Sequence, residues 1–287
     1  MRTVRITSIA FAPRPVDQFT DVLLREAERH PGIILLPETC AGEEPQTPGG
    51  PMYALCGRAA SEGKCYVAAG MYRLVEGRRL NSAVVFAPDG AVCGIYDKAY
   101  PYWTEFDLAL PCTPGAGPAV VETAFGKLGL PICFDANFPH LWAGMAELGA
   151  DLFLWASAYS AGTTLTAHAL NNHIPIVTAS SYPDCQVYDI TGERSLHQTG
   201  RDLLVTHVTL DLDRRIFHDN FNREKLPKLL AERPEVALVR EMQLEQWFVL
   251  ASCDEGVCVR DLAREYGLEE LPVYRRRSRM EIDRMRP

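Results

Sequence analysis

The feature that most constrains the fold of this chain is a recurring pair of elements, a short apolar strand and an amphipathic helix. The segments GIILLPE (32–38), LGLPIC (128–133) and ADLFLWAS (150–157) are continuous apolar runs, which are typical of strands buried on both faces. Helical patterns alternate with the strands, over 16–29, 52–62, 138–148 and 164–172. Because so many buried strands need cover on both sides, we expect two sheets packed face to face with helices outside both.

The domain organisation follows from how this pattern continues along the chain. The alternation of strands and helices occurs twice, and no low-complexity linker divides the two halves. From about Asn220 the pattern becomes helical and charged. We therefore expect one α/β domain over residues 1–215 and a helical C-terminal extension over 216–287, which packs on that domain or on a neighbouring subunit.

The charge balance and the absence of long apolar runs exclude several classes of function. The formal net charge is −8, whereas a general nucleic-acid-binding protein leaves a basic footprint. The tail YRRRSRMEIDRMRP (274–287) is a local exception, which we interpret as a solvated tail or as an arm on the acidic surface of a neighbouring subunit. No apolar run approaches the roughly 20 residues of a membrane span. We expect neither a nucleic acid nor a membrane as a partner.

The cysteines and the N-terminus indicate a reducing compartment. Nine cysteines, an odd number, are scattered without the spacing of a secreted disulfide-rich domain. The start MRTVRITSIAF begins directly with a strand pattern and lacks the features of a secretory signal. We therefore expect a cytoplasmic protein with free thiols.

Three reactive side chains come at the ends of predicted strands. Glu38 ends GIILLPE, Lys98 follows the strand VCGIYD, and Cys133 ends the run LGLPIC. Because α/β folds commonly bind ligands at strand ends, the three side chains could meet at one edge of the core. The residues alone leave two interpretations open. One is a catalytic site, and the other is a buried Glu–Lys ion pair beside an inert cysteine, since free cysteine usually only packs.

Histidines and cysteines do not form a recognisable metal motif. His168 and His173 are five positions apart, which is not the spacing of three or four that brings two ligands to one helical face. Cys253 and Cys258 flank an acidic turn without a second cysteine pair. We therefore expect no metal site.

Three segments carry a resemblance to a known family. LLPE (35–38), DKAYPYWTE (97–105) and GLPICFDANFP (129–139) resemble, in order and spacing, the signature segments of the nitrilase, or carbon–nitrogen hydrolase, superfamily. The similarity extends over roughly residues 3–215 and includes ELGADLFLWAS, ALNNHIPIVTASS and CQVYDITGE further along. It implies a four-layer α-β-β-α sandwich, a homodimer or larger homo-oligomer, a small-molecule substrate, and no metal or organic cofactor.

The resemblance also implies a role for each reactive residue. Glu38 would be the general base that takes the proton of the Cys133 thiol and later returns it to the leaving nitrogen. Lys98 and the backbone N–H of Phe134 would stabilise the developing oxyanion. Glu105 corresponds to a second glutamate that positions the substrate or water in some branches of the superfamily.

The residues around the cysteine indicate the branch. True nitrilases usually have Trp-Glu after the cysteine, whereas Phe134-Asp135 in this chain is closer to the aliphatic amidase and formamidase pattern. Aromatic residues near the site would form a wall suited to a compact or partly apolar acyl group. The substrate-binding residues implied in this way are Phe134, Tyr102, Trp103, Asn137, Phe138 and Tyr159.

The leading hypothesis is a hydrolase that cleaves a non-peptide C–N bond of a small amide or N-carbamoyl compound. The reaction would pass through a cysteine thioester and release ammonia or an amine. The alternatives are hydrolysis of a nitrile to the acid and a non-hydrolytic member of the superfamily that transfers the acyl group. A Cys–His peptidase is a more distant alternative.

Overall fold

The computed structural model describes residues 2–287, which form two compact units. Val4–Leu210 form the first unit, and the second contains Thr3 and Asp211–Pro287. The second unit therefore begins a few residues before the start predicted for the C-terminal extension. All of the predicted site residues lie in the first unit.

The first sheet of this unit consists of six strands. They are β1 (Thr3–Phe11), β2 (Ile33–Leu35), β3 (Tyr66–Val75), β4 (Arg78–Phe86), β5 (Val92–Asp97) and β12 (Leu203–Asp211). Their order is β12-β1-β2-β3-β4-β5. The pairs β1–β2 and β2–β3 are parallel, whereas β3–β4 and β4–β5 are antiparallel. Gly90, in the turn between β4 and β5, has a φ of +86°, as expected for the predicted hairpin at Asp89-Gly90.

The second sheet repeats this arrangement. Its strands are β6 (Val120–Thr123), β7 (Gly126–Gly129), β8 (Leu152–Ser157), β9 (Ile176–Ser180), β10 (Asp184–Tyr188) and β11 (Arg194–Thr199). Their order is β11-β10-β9-β8-β7-β6. The pairs β7–β8 and β8–β9 are parallel, and the outer pairs are antiparallel. The parallel strands at the centre are almost wholly buried, which explains their continuous apolar sequences.

Helices cover both sheets, and the sheets pack against each other. The helices are α1 (Asp17–Ala27), α2 (Pro51–Gly63), α3 (Pro139–Glu147) and α4 (Thr163–Asn172). Side chains of α1 and α2 share one apolar cluster with strands of the first sheet, and Trp142 of α3 packs edge-on against Phe153 of β8 at 4.9 Å. The Ser8 hydroxyl of β1 donates to the Thr178 carbonyl of β9 at 2.7 Å. The predicted α-β-β-α sandwich is confirmed.

The strand before the cysteine is shorter than predicted. β7 ends at Gly129, and Ile132 pairs with Ala156 of β8 only through an isolated bridge. Pro131 explains the interruption, because it has no N–H to donate to the ladder. Cys133 therefore begins a 3₁₀ turn, Cys133–Asn137, instead of ending a strand.

The second unit corrects the prediction of a purely helical extension over 216–287. It contains the helices α5 (Leu226–Glu232), α6 (Val259–Glu265) and α7 (Leu271–Met285). It also contains an antiparallel sheet of β13 (Arg215–His218), β14 (Val236–Met242) and β15 (Trp247–Ser252), in the order β13-β15-β14. Phe217, Phe248 and Leu250 lie in its core. Exposed charged residues interrupt the apolar residues of β14, so the spacing of its apolar residues also fits an amphipathic helix.

Within residues 2–287, no helix combines the length and the apolar character that crossing a membrane would require.

Candidate active site

Glu38 lies just beyond the end of β2 and is only 4% exposed. A close approach of two backbone segments holds it there. A Cβ on Gly70 of β3 would lie 2.3 Å from the Pro37 carbonyl oxygen and 2.6 Å from the Glu38 Cα, so only glycine permits this packing. The Cys40 N–H then donates to the Gly70 carbonyl at 3.0 Å. The backbone of the glutamate is thus fixed against the neighbouring strand.

Lys98, directly after β5, is the centre of a buried ion cluster. Its Nζ lies 2.7 Å from Glu38 Oε1 and 2.5 Å from Glu105 Oε2, and its side chain is 1% exposed. Glu105 is oriented by the 3₁₀ turn Trp103–Phe106, at the start of which the Tyr102 N–H donates to Glu105 Oε2 at 2.7 Å. The structure therefore brings together three of the four residues predicted to be catalytic.

The charge state of Lys98 follows from its neighbours. Burial lowers its pKa, but the negative charges of Glu38 and Glu105 and the hydrogen bond to Glu105 raise the pKa above its ordinary value, and a thiolate on Cys133 would raise it further. Lys98 is therefore an ammonium ion in the resting site, with a positive charge available to a developing oxyanion.

Asn81 of β4 belongs to the same cluster, although sequence analysis did not select it. Its Nδ2 donates to Glu38 Oε1 at 2.8 Å and to Glu105 Oε1 at 2.7 Å. Glu38 Oε1 thus accepts hydrogen bonds from both Lys98 and Asn81. Glu38 Oε2 is buried and has no hydrogen-bond partner within residues 2–287. The second oxygen of Glu38 is therefore the one available to accept a proton.

Cys133 is held in an unusual backbone conformation. Its φ is +46°, in the left-handed region that non-glycine residues rarely adopt, and it is 7% exposed. Such strain persists only where surrounding contacts enforce it, and it often occurs at active sites. The conformation starts the 3₁₀ turn at the end of the interrupted strand, so the thiol is presented by a rigid turn.

Asp135 supplies several of the enforcing contacts. Its buried carboxylate accepts hydrogen bonds from the Ile132 N–H at 2.9 Å, the Tyr96 hydroxyl at 2.8 Å and the Tyr100 N–H at 3.0 Å. Burial raises the pKa of Asp135 to about 6, although these three hydrogen bonds and Lys98 oppose the shift. Asp135 therefore ties the cysteine turn to the strand that leads to Lys98.

The environment of the Cys133 thiol favours its protonated form. Burial raises its pKa well above the ordinary value, and the negative charge of Glu38 raises it further. The charge of Lys98 and hydrogen bonds from the Ala158 backbone and the Ser157 hydroxyl oppose the rise. Because only the thiolate is a good nucleophile, this cysteine needs a base at the moment of attack.

Aromatic rings continue outward from the cysteine in a row. Phe134 lies edge-on to Tyr102 at 5.2 Å and to Phe138 at 5.5 Å. Tyr102 contacts Trp103 at 5.7 Å, and Phe138 stacks on Tyr100 at 3.7 Å. Trp103 is 61% exposed, whereas Phe134 and Phe138 are half-buried. The structure thus joins four of the predicted substrate-binding residues into one wall, with Tyr100 added.

The other two predicted binding residues, Tyr159 and Asn137, contact each other. The Tyr159 hydroxyl hydrogen-bonds the Asn137 side chain, and the charge of a Cys133 thiolate acts on Tyr159. Asn137 also donates to the Phe134 carbonyl at 3.2 Å. Both residues are therefore close to the thiol, and both are neutral polar groups.

The histidines near the turn have structural partners. His168 of α4 stacks on Trp142 at 4.1 Å, and its Nε2 hydrogen-bonds the Ala136 carbonyl at 2.7 Å. His140 is paired with the Tyr100 hydroxyl at 2.5 Å. The groups that act most strongly on the thiol are Glu38 and Lys98. Among residues 2–287, no group of three or more His, Cys, Asp or Glu is arranged to hold a metal ion.

Two facing sheets with outer helices form an α-β-β-α sandwich, and the segments that follow their strands bring a thiol, an ammonium and two carboxylates together in a buried site. The sequence profile of the carbon–nitrogen hydrolase family matches residues 21–225. The chain belongs to the carbon–nitrogen hydrolase family.

Curated relatives are similar at low identity. The citrullinase of Francisella tularensis is 27% identical over 183 residues, which are 53% of this chain and 64% of that protein. The omega-amidase NIT2-B of Xenopus laevis is 26% identical over 213 residues, 64% of this chain and 76% of that protein. A hydrolase of Schizosaccharomyces pombe is 26% identical over 162 residues, and this chain spans about half of its length (49%).

Solved structures share the fold. A double mutant of the amidase from Nesterenkonia sp. AN1, in complex with acrylamide, has a TM-score of 0.63 at 21% identity and covers 72% of this chain and 91% of that chain. Saccharomyces cerevisiae Nit3, a member of the nitrilase superfamily, has a TM-score of 0.64 at 16% identity and covers 84% of this chain and 97% of that chain.

Proposed function

We propose that this enzyme hydrolyses the C–N bond of a small carboxamide or N-carbamoyl compound through a thioester on Cys133, with release of ammonia or an amine. The observation that carries the proposal is the buried cluster in which Lys98 contacts both Glu38 and Glu105 beside the strained cysteine turn. A buried ion pair is weak evidence for stability alone, so a cluster of this kind at strand ends favours a catalytic explanation.

Acylation begins with removal of the thiol proton. Glu38 Oε2, the oxygen without a hydrogen-bond partner in the described chain, accepts the proton from Cys133 Sγ as the sulfur attacks the carbonyl carbon. The C=O electron pair moves to oxygen and gives a tetrahedral oxyanion. Glu38 then donates its proton to the nitrogen, the C–N bond breaks, and ammonia or an amine leaves the thioester.

The oxyanion is stabilised by charge and by a backbone donor. The Lys98 ammonium has a raised pKa because the negative charges of Glu38 and Glu105 outweigh burial, so it keeps its positive charge. The backbone N–H of Phe134, next to the nucleophile, is the second donor in this proposal. Donors that are fixed before the reaction stabilise the transition state without reorganisation at the moment of attack.

Deacylation reverses the proton transfers with water in place of the amine. Glu38 takes a proton from water as the oxygen attacks the thioester carbon. The second tetrahedral intermediate expels the Cys133 sulfur, which regains the proton from Glu38, and the carboxylic acid leaves. Glu105 holds Lys98 from the other side and positions the substrate or water.

The proposed acyl site is the aromatic wall. Tyr102, Phe134 and Phe138 offer apolar ring surface, and Asn137 with Tyr159 offers neutral hydrogen-bonding groups. A compact, uncharged, partly apolar acyl group fits such a lining. The relatives named citrullinase and omega-amidase support an amide or carbamoyl substrate, as does Phe134-Asp135 in place of Trp-Glu.

The experiment that tests this function measures ammonia release from simple amides, N-carbamoyl amino acids and nitriles, with mass spectrometry of the products. The Cys133→Ala and Glu38→Gln variants are measured in parallel. We expect release from an amide or N-carbamoyl compound, its loss in both variants, and a mass increase of the acyl group on Cys133 in rapidly quenched wild-type enzyme.

Three outcomes would contradict the proposal. Turnover restricted to nitriles would assign the nitrile alternative, and acyl hydroxamate formation without hydrolysis, when hydroxylamine is added as acceptor, would assign acyl transfer. Normal activity of Cys133→Ala would remove the thioester.

A further inference from the structure

Asn81 is a buried amide that the chemistry described above does not use. It lies on β4 opposite Tyr72 of β3 and is 1% exposed. Of its neighbours along the strand, Leu80, Ala83 and Val84 are buried apolar residues, and Ser82 is a buried polar residue whose hydroxyl donates to Asp97. A polar residue at this place in a core strand needs a specific reason, because an apolar side chain would pack there without any hydrogen-bonding requirement.

The orientation of the amide is determined by its partners. Nδ2 faces two carboxylate oxygens, Glu38 Oε1 at 2.8 Å and Glu105 Oε1 at 2.7 Å. The reversed orientation would oppose an amide oxygen to both carboxylates, which is repulsive. Each proton of the NH₂ group therefore serves one glutamate.

Asn81 makes these two bonds at a cost to stability. Its Oδ1 is buried and finds no partner within residues 2–287. An unsatisfied buried polar atom typically costs about 1–3 kcal/mol. A residue retained for packing alone would avoid that cost, so the two hydrogen bonds to the glutamates are the feature that explains Asn81.

Asn81 and Lys98 divide the oxygens of the two glutamates between them. Lys98 binds Glu38 Oε1 and Glu105 Oε2, and Asn81 binds Glu38 Oε1 and Glu105 Oε1. Glu38 Oε1 is thus occupied twice, and Oε2 has no partner in the described chain. The two donors on Oε1 hold the carboxylate of Glu38 in one orientation and leave Oε2 as its unoccupied oxygen.

We propose that Asn81 is a positioning residue that fixes Glu38 with Oε2 toward the nucleophile and holds Glu38 and Glu105 beside each other through one hydrogen bond to each. The proposal rests on the proposed function of Glu38 as the general base. A neutral double donor suits this place, because it binds one oxygen of each carboxylate without adding a charge to the cluster.

The pH dependence of the cluster involves every titratable group around it. They are Glu38 after β2, Tyr72 on β3, Lys98 after β5, Glu105 and Cys112 on the loop after β5, and Cys133 on the 3₁₀ turn. Loss of the Asn81 donors leaves Lys98 as the main stabiliser of the ionised glutamates. Because hydrogen bonds to a carboxylate favour its ionised form, we expect the acid limb of activity to move to higher pH when Asn81 is replaced.

The test uses Asn81→Leu, which removes the donors at similar volume, and Asn81→Asp, which replaces them with a carboxylate of the same shape. The same isosteric change at exposed Asn171, Asn171→Asp, is the control. Two quantities are measured from pH 5 to 9 on the full chain. One is kcat/KM for the best amide, and the other is the rate of Cys133 alkylation by iodoacetamide, followed by peptide mass spectrometry.

For Asn81→Leu we expect the acid limb of both profiles to move to higher pH, with kcat lowered about 10- to 100-fold and KM changed much less. For Asn81→Asp we expect a larger upward shift, because a third carboxylate joins the first two. An unshifted acid limb in both variants would overturn the proposal. So would a uniform loss at every pH that follows a lowered melting temperature, since that result describes a structural residue.

The alkylation assay separates this proposal from the proposed function, because it requires no substrate. In Glu38→Gln the pH profile of Cys133 alkylation should keep only the rise that follows thiolate formation, and its difference from the wild-type profile is the part that depends on Glu38. If the wild type hydrolyses no amide and the alkylation limb still shifts in the Asn81 variants, the role of Asn81 stands and the proposed reaction fails. If amides are hydrolysed and the limb does not shift, the reaction stands and Asn81 is only structural.

Discussion

At the scale of single residues, Lys98 is the positive charge that compensates the buried carboxylates of the site. It is the cation between two buried carboxylates, at 2.7 Å and 2.5 Å. Removing one partner of a buried charged group costs more than the pair itself contributes, because the remaining charges stay unpaired in a low dielectric. We therefore expect both catalysis and stability to depend on this ammonium.

We expect Lys98→Met to lower kcat on the order of 100-fold or more, because the oxyanion loses its charged partner. We also expect a lower melting temperature at pH 7, with partial recovery as the pH falls and a proton replaces the missing positive charge between the glutamates. Steady-state kinetics and thermal unfolding at pH 5 and pH 7 measure both effects. Near-normal kcat in a folded variant would remove Lys98 from the proposed oxyanion site.

Asp135 gives a prediction about stability and pH. Burial raises its pKa in the folded protein to about 6, above the ordinary value of 3.8. The folded state therefore binds this proton more tightly than the unfolded state, so the contribution of Asp135 to stability is greatest at low pH and is lost as the pH rises through about 6. The sign is opposite to that of a carboxylate stabilised by an ion pair.

We expect the free energy of unfolding of the wild type, relative to Asp135→Asn, to rise by roughly 2 kcal/mol between pH 7 and pH 4. Urea denaturation at several pH values measures this difference. Asp107→Asn, changed at an exposed position, is the control for removal of one carboxylate. A difference that stays constant, or that falls toward low pH, would contradict the buried, proton-binding carboxylate.

At the scale of elements, the site depends on how closely β3 approaches the segment after β2. Gly70 leaves no room for a side chain, since a Cβ would lie 2.3 Å from the Pro37 carbonyl oxygen. The atoms of Pro37 and Glu38 that this Cβ would meet belong to the backbone and cannot rotate away as a flexible side chain would. A methyl group at this position must therefore push the Glu38 segment away from the strand.

We expect Gly70→Ala to lower kcat/KM by more than about 10-fold, because misplacing the general base by a fraction of an ångström removes much of its effect. Gly256→Ala is the matched control, because Gly256 is exposed and an added Cβ there would lie 3.3 Å from a carboxylate oxygen of Asp254. Kinetics at saturating and limiting substrate measure the change. Unchanged kcat/KM in Gly70→Ala would show that the Glu38 segment does not need the close packing.

For two strands, β11 and β14, the sequence pattern did not predict the structure that forms. β11 was not predicted, because most of its side chains are exposed and it carries no buried alternation. β14 was assigned to a helical segment, because short apolar runs interrupted by charges fit either period. Pairing with β10 and β15, respectively, supplies the hydrogen bonds that decide both cases.

At the scale of the whole molecule, α7 buries little of its surface against its own chain. Leu271 is its only buried residue, whereas Val273, Met280, Ile282 and Met285 are 47–85% exposed. The helix is rich in arginine, and the complete chain has a net charge of −8. The sequence leaves a solvated tail and an arm on a neighbouring subunit as two interpretations of this segment, and we propose that it contacts a neighbouring subunit of a homodimer or larger homo-oligomer.

We expect deletion of residues 273–287 to reduce the mass of the assembly measured by sedimentation velocity and to leave kcat/KM largely unchanged. Raised salt should weaken the full-length assembly, since screening reduces attraction between a basic helix and an acidic surface. A full-length chain that sediments as a monomer at micromolar concentration would contradict the prediction. So would a truncated chain of unchanged assembly mass.

The sequence by itself determined the layered α/β fold and the positions of Glu38, Lys98 and Cys133 at the ends of elements. These follow from local information, namely strand burial on both faces, helical periodicity and short motifs with characteristic spacing. Glu105 could also be predicted from the sequence, because it lies seven positions after Lys98 within the same segment.

Only the tertiary structure decided how these residues are held. Asn81 reaches Glu38 across 43 positions of sequence and Glu105 across 24, and no local pattern marks an asparagine in LNSAVVF as their shared donor. The left-handed φ of Cys133 and the buried Asp135 that supports it likewise depend on contacts with Tyr96 and Tyr100. Local patterns specify which residues are buried, whereas hydrogen bonds between distant strands specify which oxygen of a buried glutamate is left without a partner within residues 2–287.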